Sequence, residues 1–163
     1  MRLSLAQLNP IIGDLKGNSE KIISASTKAA AQHANLLVTP ELSLLGYPPR
    51  DLLFNSQILE SQWRFLEKIC NHIDRYTPNL SILVGVAEPT PDLQVPRLFN
   101  SITLVKKNGW EVMARKQLLP TYDVFDEQRY FRPASKSGFL TLKLKEKTWN
   151  IGLTICEDLW VEE

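Results

Sequence analysis

The 163-residue chain carries 19 Lys and Arg against 18 Asp and Glu, a net charge of +1, with 44% hydrophobic and 23% charged residues. That length suits one domain with a sizeable core. The near-neutral balance argues against a broad basic footprint for nucleic acid, and no apolar stretch is long enough to span a bilayer. Cys70 and Cys156 make no disulfide framework. The start, "MRLSLAQLNP", lacks the long apolar core of a signal peptide. Both features fit a cytoplasmic chain with reduced thiols.

Taken in order, Leu3 to Leu8 reads as a strand stopped by Asn9-Pro10. Gly13-Asp14 is a turn, and Asn18 or Ser19 caps a helix through "SEKIISASTKAAAQHA". "NLLVTPE" is a continuously apolar second strand, as expected of burial on both faces. "LSLLGYPPRDLLFN" is irregular, because its Pro-Pro pair forbids a regular ladder. Residues 56 to 76 have helical periodicity, and "SILVGVAE" is a third strand. This β-α-β-α-β succession predicts a parallel sheet with helical crossovers.

The pattern then changes. "FNSITLVKKNGWEVMARKQ" is a hairpin about Asn108-Gly109. "LLPTYDVFDEQRYFRP" is a long polar and aromatic loop, of the kind that carries function. "GFLTLKLKEKTWNIGLTIC" is a further pair of strands.

Three strand ends carry reactive side chains. Cys156 follows an apolar run in "LTICEDLW"; it reads as a nucleophile or as a small core hydrophobe. His33 and His72, the two possible imidazole bases, lie at a helix end and within a helix, as surface or packing residues do. Glu41, in "LLVTPELS", ends a buried strand where α/β sheets bind ligands. Lys116, in "VMARKQLLP", closes another strand; it reads as a site cation or as a solvated lysine, the commoner fate of a single lysine. Three strand ends that supply Glu, Lys and Cys are more telling than any one of them. The acids beside Cys156 raise a thiol's pKa, so a cation has to compensate, and Lys116 is available.

The order Glu41, Lys116, Cys156 resembles the Glu-Lys-Cys triad of the nitrilase, or carbon-nitrogen hydrolase, superfamily. "AQLNPIIGDLKGN", "PELSLLGYPPRDLL", "LLPTYDVFDEQRYF" and "ICEDLW" are similar to one branch of it, the glutamine amidotransferase domain of glutamine-dependent NAD synthetases. The resemblance implies an α/β fold, a four-layer α-β-β-α sandwich of which the 163 residues hold about the first half to two-thirds. It implies a Cys156 thioester, Glu41 as proton carrier, and Lys116 with the Glu157 backbone N–H at the oxyanion. It implies Glu127 as the residue that orients Lys116, and Tyr122, Glu157 and Trp160 as contacts to glutamine.

The same resemblance implies no cofactor in this segment. ATP, Mg and deamido-NAD belong to a C-terminal synthetase domain outside residues 1–163. The implied partners are glutamine, that synthetase domain and further copies of the complete protein, with no nucleic acid or membrane. Stopping after Trp160 is expected to leave apolar surface that further strands would cover. An inactive remnant or interaction module, and a stand-alone amidase of the same superfamily, are the alternatives.

Overall fold

A computed structural model describes residues 1–92 and 95–160. Five strands form one sheet in the order β1 (Leu3–Leu5), β2 (Leu36–Val38), β3 (Ser81–Pro89), β4 (Leu98–Lys106), β5 (Gly109–Arg115). The first three are parallel, and β4 and β5 add to the β3 side antiparallel. The crossovers are α1 (Leu15–Ala31) and α2 (Ser56–Tyr76). The hairpin of β6 (Gly138–Leu144) and β7 (Lys147–Leu153) is a separate two-stranded sheet.

Alternation along the strands builds two cores. Leu37, Ile82, Val84 and Val86 face Ile22 of α1 and Leu66, Ile69 and Ile73 of α2. Leu36, Leu83, Leu104 and Ala114 face the other way, onto Leu140 and Leu153 of the hairpin. Helices, five-stranded sheet and hairpin are thus three successive layers of an α-β-β-α arrangement; among the described residues there is no outer helical layer. On the hairpin side Leu3, Leu5, Phe139 and Trp149 are exposed. None of the helices among the described residues is long and apolar enough to cross a membrane.

The periodicity of α2 explains its seat. Gln62, Leu66, Ile69, Cys70 and Ile73 recur at helical spacing and are all buried. Gln62 is polar and fully buried, and its amide is satisfied in both directions, donating to the Ala87 carbonyl at 2.8 Å and accepting from the Ala87 N–H at 3.0 Å. It pins the helix to β3.

The start of α1 differs from its sequence reading. The cap is Asp14, whose Oδ1 accepts from the Gly17 N–H at 2.9 Å, so the helix begins earlier than an Asn18 or Ser19 cap requires. Asn18 has another task. Its side chain is buried and bonds the Ile11 backbone in both directions and the Leu44 carbonyl at 3.1 Å. It fastens the loop after β1 to the turn that follows β2. That first strand is also shorter than read, because the chain leaves the ladder at Ala6.

Two glycines allow the close approaches that shape the site. A Cβ on Gly138 would stand 2.2 Å from Ala114 Cβ, so its absence lets β6 lie directly on β5. A Cβ on Gly85 would stand 2.3 Å from Leu42 N and 2.9 Å from Pro40 O, so the turn carrying Glu41 lies directly on β3. Gly85→Ala is expected to destabilise the protein by about 1–3 kcal/mol, because backbone has to move. Gly152, where a Cβ meets nothing within 4 Å, is the comparison, and Gly152→Ala is expected to stay within about 0.5 kcal/mol. Thermal unfolding of the two variants measures this, and equal midpoints would refute the packing account.

Candidate active site

Three chain segments converge, two leaving one end of the five-stranded sheet after β2 and β5 and one leaving the hairpin after β7. The first is the turn after β2. Thr39 Oγ1 donates to the Leu83 carbonyl at 2.9 Å and lies 2.7 Å from Ser43 Oγ, and the Leu44 N–H bonds the Gly85 carbonyl at 3.3 Å. Leu42, fully buried, holds a left-handed φ of 46°. A non-glycine residue there carries strain that the surrounding structure has to hold in place. Glu41 is thereby fixed beside the sheet with its side chain 16% exposed.

Lys116 is the second contribution. It follows β5 directly, its N–H bonds the Asn100 carbonyl of β4 at 2.8 Å, and its own carbonyl accepts from Ala134 at 2.9 Å. Its side chain is wholly buried. The ammonium lies between two carboxylates, 2.7 Å from Glu41 Oε1 and 2.9 Å from Glu127 Oε1. Burial pulls its pKa down, but Glu41 and then Glu127 push it up by more, so the net shift is upward and Lys116 remains a cation.

Glu127 comes from the long loop, at the start of a 3-10 turn Glu127–Arg129. Its Oε1 also accepts from the Tyr47 hydroxyl at 2.6 Å. Its Oε2 is buried with no hydrogen-bond partner. Burial raises the pKa of this carboxyl, and the bonds from Tyr47 and Lys116 offset that only in part. Burial and the bond to Glu127 push the Tyr47 phenol upward, which keeps it a donor.

Cys156 is the third contribution. It opens the 3-10 turn Cys156–Leu159 just beyond β7, at a left-handed φ of 47°. Asp158 locks this turn to the lysine strand. Its Oδ2 accepts from the Ile155 N–H at 3.0 Å, while Oδ1 accepts from the N–H groups of Gln117 and Leu118 at 2.9 and 2.8 Å. One carboxylate therefore sets the spacing between the residue before the thiol and the residues after the ammonium. Cys156 and Glu41 line the same cleft of about 270 Å³, with Thr39, Pro40 and Ile155. Partial burial raises the thiol pKa, Glu41 raises it further, and Lys116 opposes them. The resting sulfur is a thiol, and a thiolate has to form by handing its proton to a neighbour.

Tyr122 and Glu157 meet nearby, the phenol donating to Glu157 Oε2 at 2.9 Å, and both line one open hollow with Gln117 and Leu118. Trp160 lies beyond that turn and is exposed. His33 is exposed and His72 lies 3.3 Å from Thr27 of α1; neither lines the cleft of Cys156. Cys70 is buried in the α2 core. Among the described residues no group of three or more His, Cys, Asp or Glu is placed to hold a metal ion.

Three site residues escaped the sequence reading. Tyr47 lies in "GYPPRD", a segment quoted for its resemblance, and only the fold brings it to Glu127. Asn100 lies inside a strand pattern that gives polar positions no distinction, yet its Nδ2 donates to Glu41 Oε1 at 2.6 Å. Asp158 reads as one more acid beside the thiol, and its three backbone donors come from two separate segments.

Known proteins resemble this chain over nearly its whole length. The model of the carbon-nitrogen hydrolase family matches residues 2–163. A glutamine-dependent NAD(+) synthetase of Synechocystis sp. is 45% identical over 166 residues, covering 99% of this chain and 28% of that protein. A glutamine-dependent NAD+ synthetase of Acinetobacter baumannii of solved structure is 32% identical, with a TM-score of 0.75, covering 97% of this chain and 28% of that one. A Nesterenkonia AN1 amidase from the nitrilase superfamily, 22% identical with a TM-score of 0.68 over 92% of this chain and 54% of its own, shares the fold. The chain thus spans about 28% of the length of the first two. Because the family match runs over residues 2–163, nearly every residue, this chain belongs to the carbon-nitrogen hydrolases.

Proposed function

We propose that residues 1–163 are the glutamine-hydrolysing part of a glutamine-dependent NAD synthetase, and that Cys156, Glu41, Lys116 and Glu127 perform the hydrolysis. The observation that supports this best is the wholly buried Lys116 ammonium between Glu41 and Glu127, with Glu41 sharing a cleft with Cys156. In this reading Cys156 Sγ attacks the side-chain amide carbon of glutamine as its proton passes to Glu41. Negative charge develops on the amide oxygen, and Lys116 with the Glu157 backbone N–H stabilises it. Glu41 returns the proton to the departing nitrogen, ammonia leaves, and a thioester to Cys156 remains. Water then attacks the thioester, Glu41 takes a water proton, and glutamate and the thiol are released.

Glu127 holds the ammonium in place from the side away from Glu41. Glu157 and Tyr122 receive the α-ammonium end of glutamine, with Trp160 beside them. The relatives are named glutamine-dependent NAD(+) synthetases; in this reading the ammonia is consumed in amidation of deamido-NAD with ATP and Mg at a synthetase domain outside these residues, and the complete protein is cytoplasmic and oligomeric.

Incubation of the protein, purified at the full length its gene encodes, with glutamine should release ammonia and glutamate in equal amounts. With deamido-NAD and ATP present it should also form NAD. Release of ammonia from simple amides with glutamine untouched would replace this reading by a stand-alone amidase. Release from neither would leave the site inactive.

A further inference from the structure

We propose that Asn100 is a positioning residue that decides which oxygen of Glu41 serves as the base; the proposal rests on the hydrolytic reading above. Asn100 lies on β4 and is 1% exposed. Its Nδ2 donates to Glu41 Oε1 at 2.6 Å, the same oxygen that Lys116 Nζ approaches at 2.7 Å. Two donors therefore occupy Oε1. Among the described residues no donor is bonded to Oε2, so Oε2 is the oxygen free to receive the Cys156 proton. The Asn100 carbonyl also accepts from the Lys116 backbone N–H at 2.8 Å. One residue thus references the base and the ammonium to the same point on the sheet.

The amide can have only this orientation. Turned over, Oδ1 would face a carboxylate oxygen, acceptor against acceptor. In the orientation adopted, Oδ1 is buried with no hydrogen-bond partner. A buried, half-satisfied amide is unfavourable where packing alone is needed, and an apolar side chain of similar size would serve better. What leucine lacks is the neutral donor. That donor supports the ionised carboxylate and adds no further charge beside Lys116, Glu41 and Glu127.

The test uses Asn100→Leu and Asn100→Asp in the full-length protein. Two measurements are made across pH: kcat and KM for glutamine, and Cys156 alkylation by iodoacetamide without glutamine. For Asn100→Leu, kcat is expected to fall about 10- to 100-fold with KM within about twofold, because the base is displaced rather than the substrate. Losing a donor to the ionised carboxylate should also move the acidic limb of the kcat profile upward by about one pH unit, and Asn100→Asp should move it further. The alkylation profile should shift the same way, and Glu41→Gln should remove that limb. The alkylation arm needs no glutamine, so it decides about Asn100 even if the protein hydrolyses another amide. A fall in kcat with unmoved pH limbs would make Asn100 purely structural and overturn the proposal, as would kcat within threefold of the parent. Should Asn100→Leu not fold, Asn100→Ser, whose hydroxyl is too short to reach Glu41, carries the same prediction.

Discussion

Replacing Cys156 by alanine is expected to lower glutamine hydrolysis by a factor on the order of 10⁵ or more, because losing the nucleophile removes the entire covalent route. Cys70→Ala should leave kcat within about twofold and cost roughly 1 kcal/mol of stability through a small core cavity. The contrast follows from surroundings. Cys156 lies exposed at a strained turn, in the cleft that also holds Glu41. Cys70 lies on the buried face of α2 with its Sγ 3.8 Å from the Lys106 carbonyl, and burial and then Asp74 raise its pKa. An electrophilic glutamine analogue should therefore label Cys156 alone, as read by peptide mass spectrometry. Label on Cys70, or label that persists in Cys156→Ala, would refute the assignment. On the proposed reading of the full-length protein, synthesis of NAD from free ammonia should persist in Cys156→Ala, since that step needs ammonia and not its source; its loss would indicate a fault of folding.

The helix α2 and the strands β3 to β7 follow from local pattern, because burial on one or both faces leaves a periodic trace. Both ends of α2, Ser56 and Tyr76, fall where the periodicity places them. The cap of α1 was harder. Asn18 suits a helix cap as well as Asp14 does, and what recruits it elsewhere is the Leu44 carbonyl, 26 residues away. The site divides the same way. Glu41, Lys116 and Cys156 were legible as candidates because each follows closely on a strand, β2 and β5 in one sheet and β7 in the hairpin packed on it. Asn100, Tyr47 and Asp158 act through partners 59, 80 and 41 residues distant, so no local pattern marks them. The pairing of Glu127 with Lys116 came from resemblance, because spacing along a long loop cannot predict a 2.9 Å contact.

Lys116→Met should harm activity and stability together, and the two losses can be separated. Methionine fills similar volume but removes the charge on which both carboxylates depend. Activity should fall at least about 10³-fold, since an oxyanion donor alone accounts for two to three orders of magnitude and Glu41 also loses its anchor. Stability should fall by about 3–5 kcal/mol, because Glu127, 5% exposed, and Glu41 are left as neighbouring carboxylates without a cation. For a chain of this size that is a drop of roughly 10 °C in Tm. The pH dependence has a definite sign. Burial already raises the pKa of Glu127, and without Lys116 one carboxyl has to take up a proton to stay in the site. A carboxyl whose folded pKa lies above its unfolded value stabilises the fold below the unfolded pKa, and that stability is lost as pH rises through the folded pKa. Lys116→Met should therefore lie closer to the parent in Tm at pH 5 than at pH 8. Adding Glu127→Gln to Lys116→Met removes one of the two repelling charges and should restore most of the lost Tm at pH 8. It should restore none of the activity, because an amide at position 127 supplies no oxyanion donor where Lys116 stood. Scanning calorimetry at both pH values, alongside ammonia release, checks all five outcomes. A Lys116→Met protein with parental Tm, or a double variant that regains activity, would show that the ammonium between Glu41 and Glu127 is not the centre of this site.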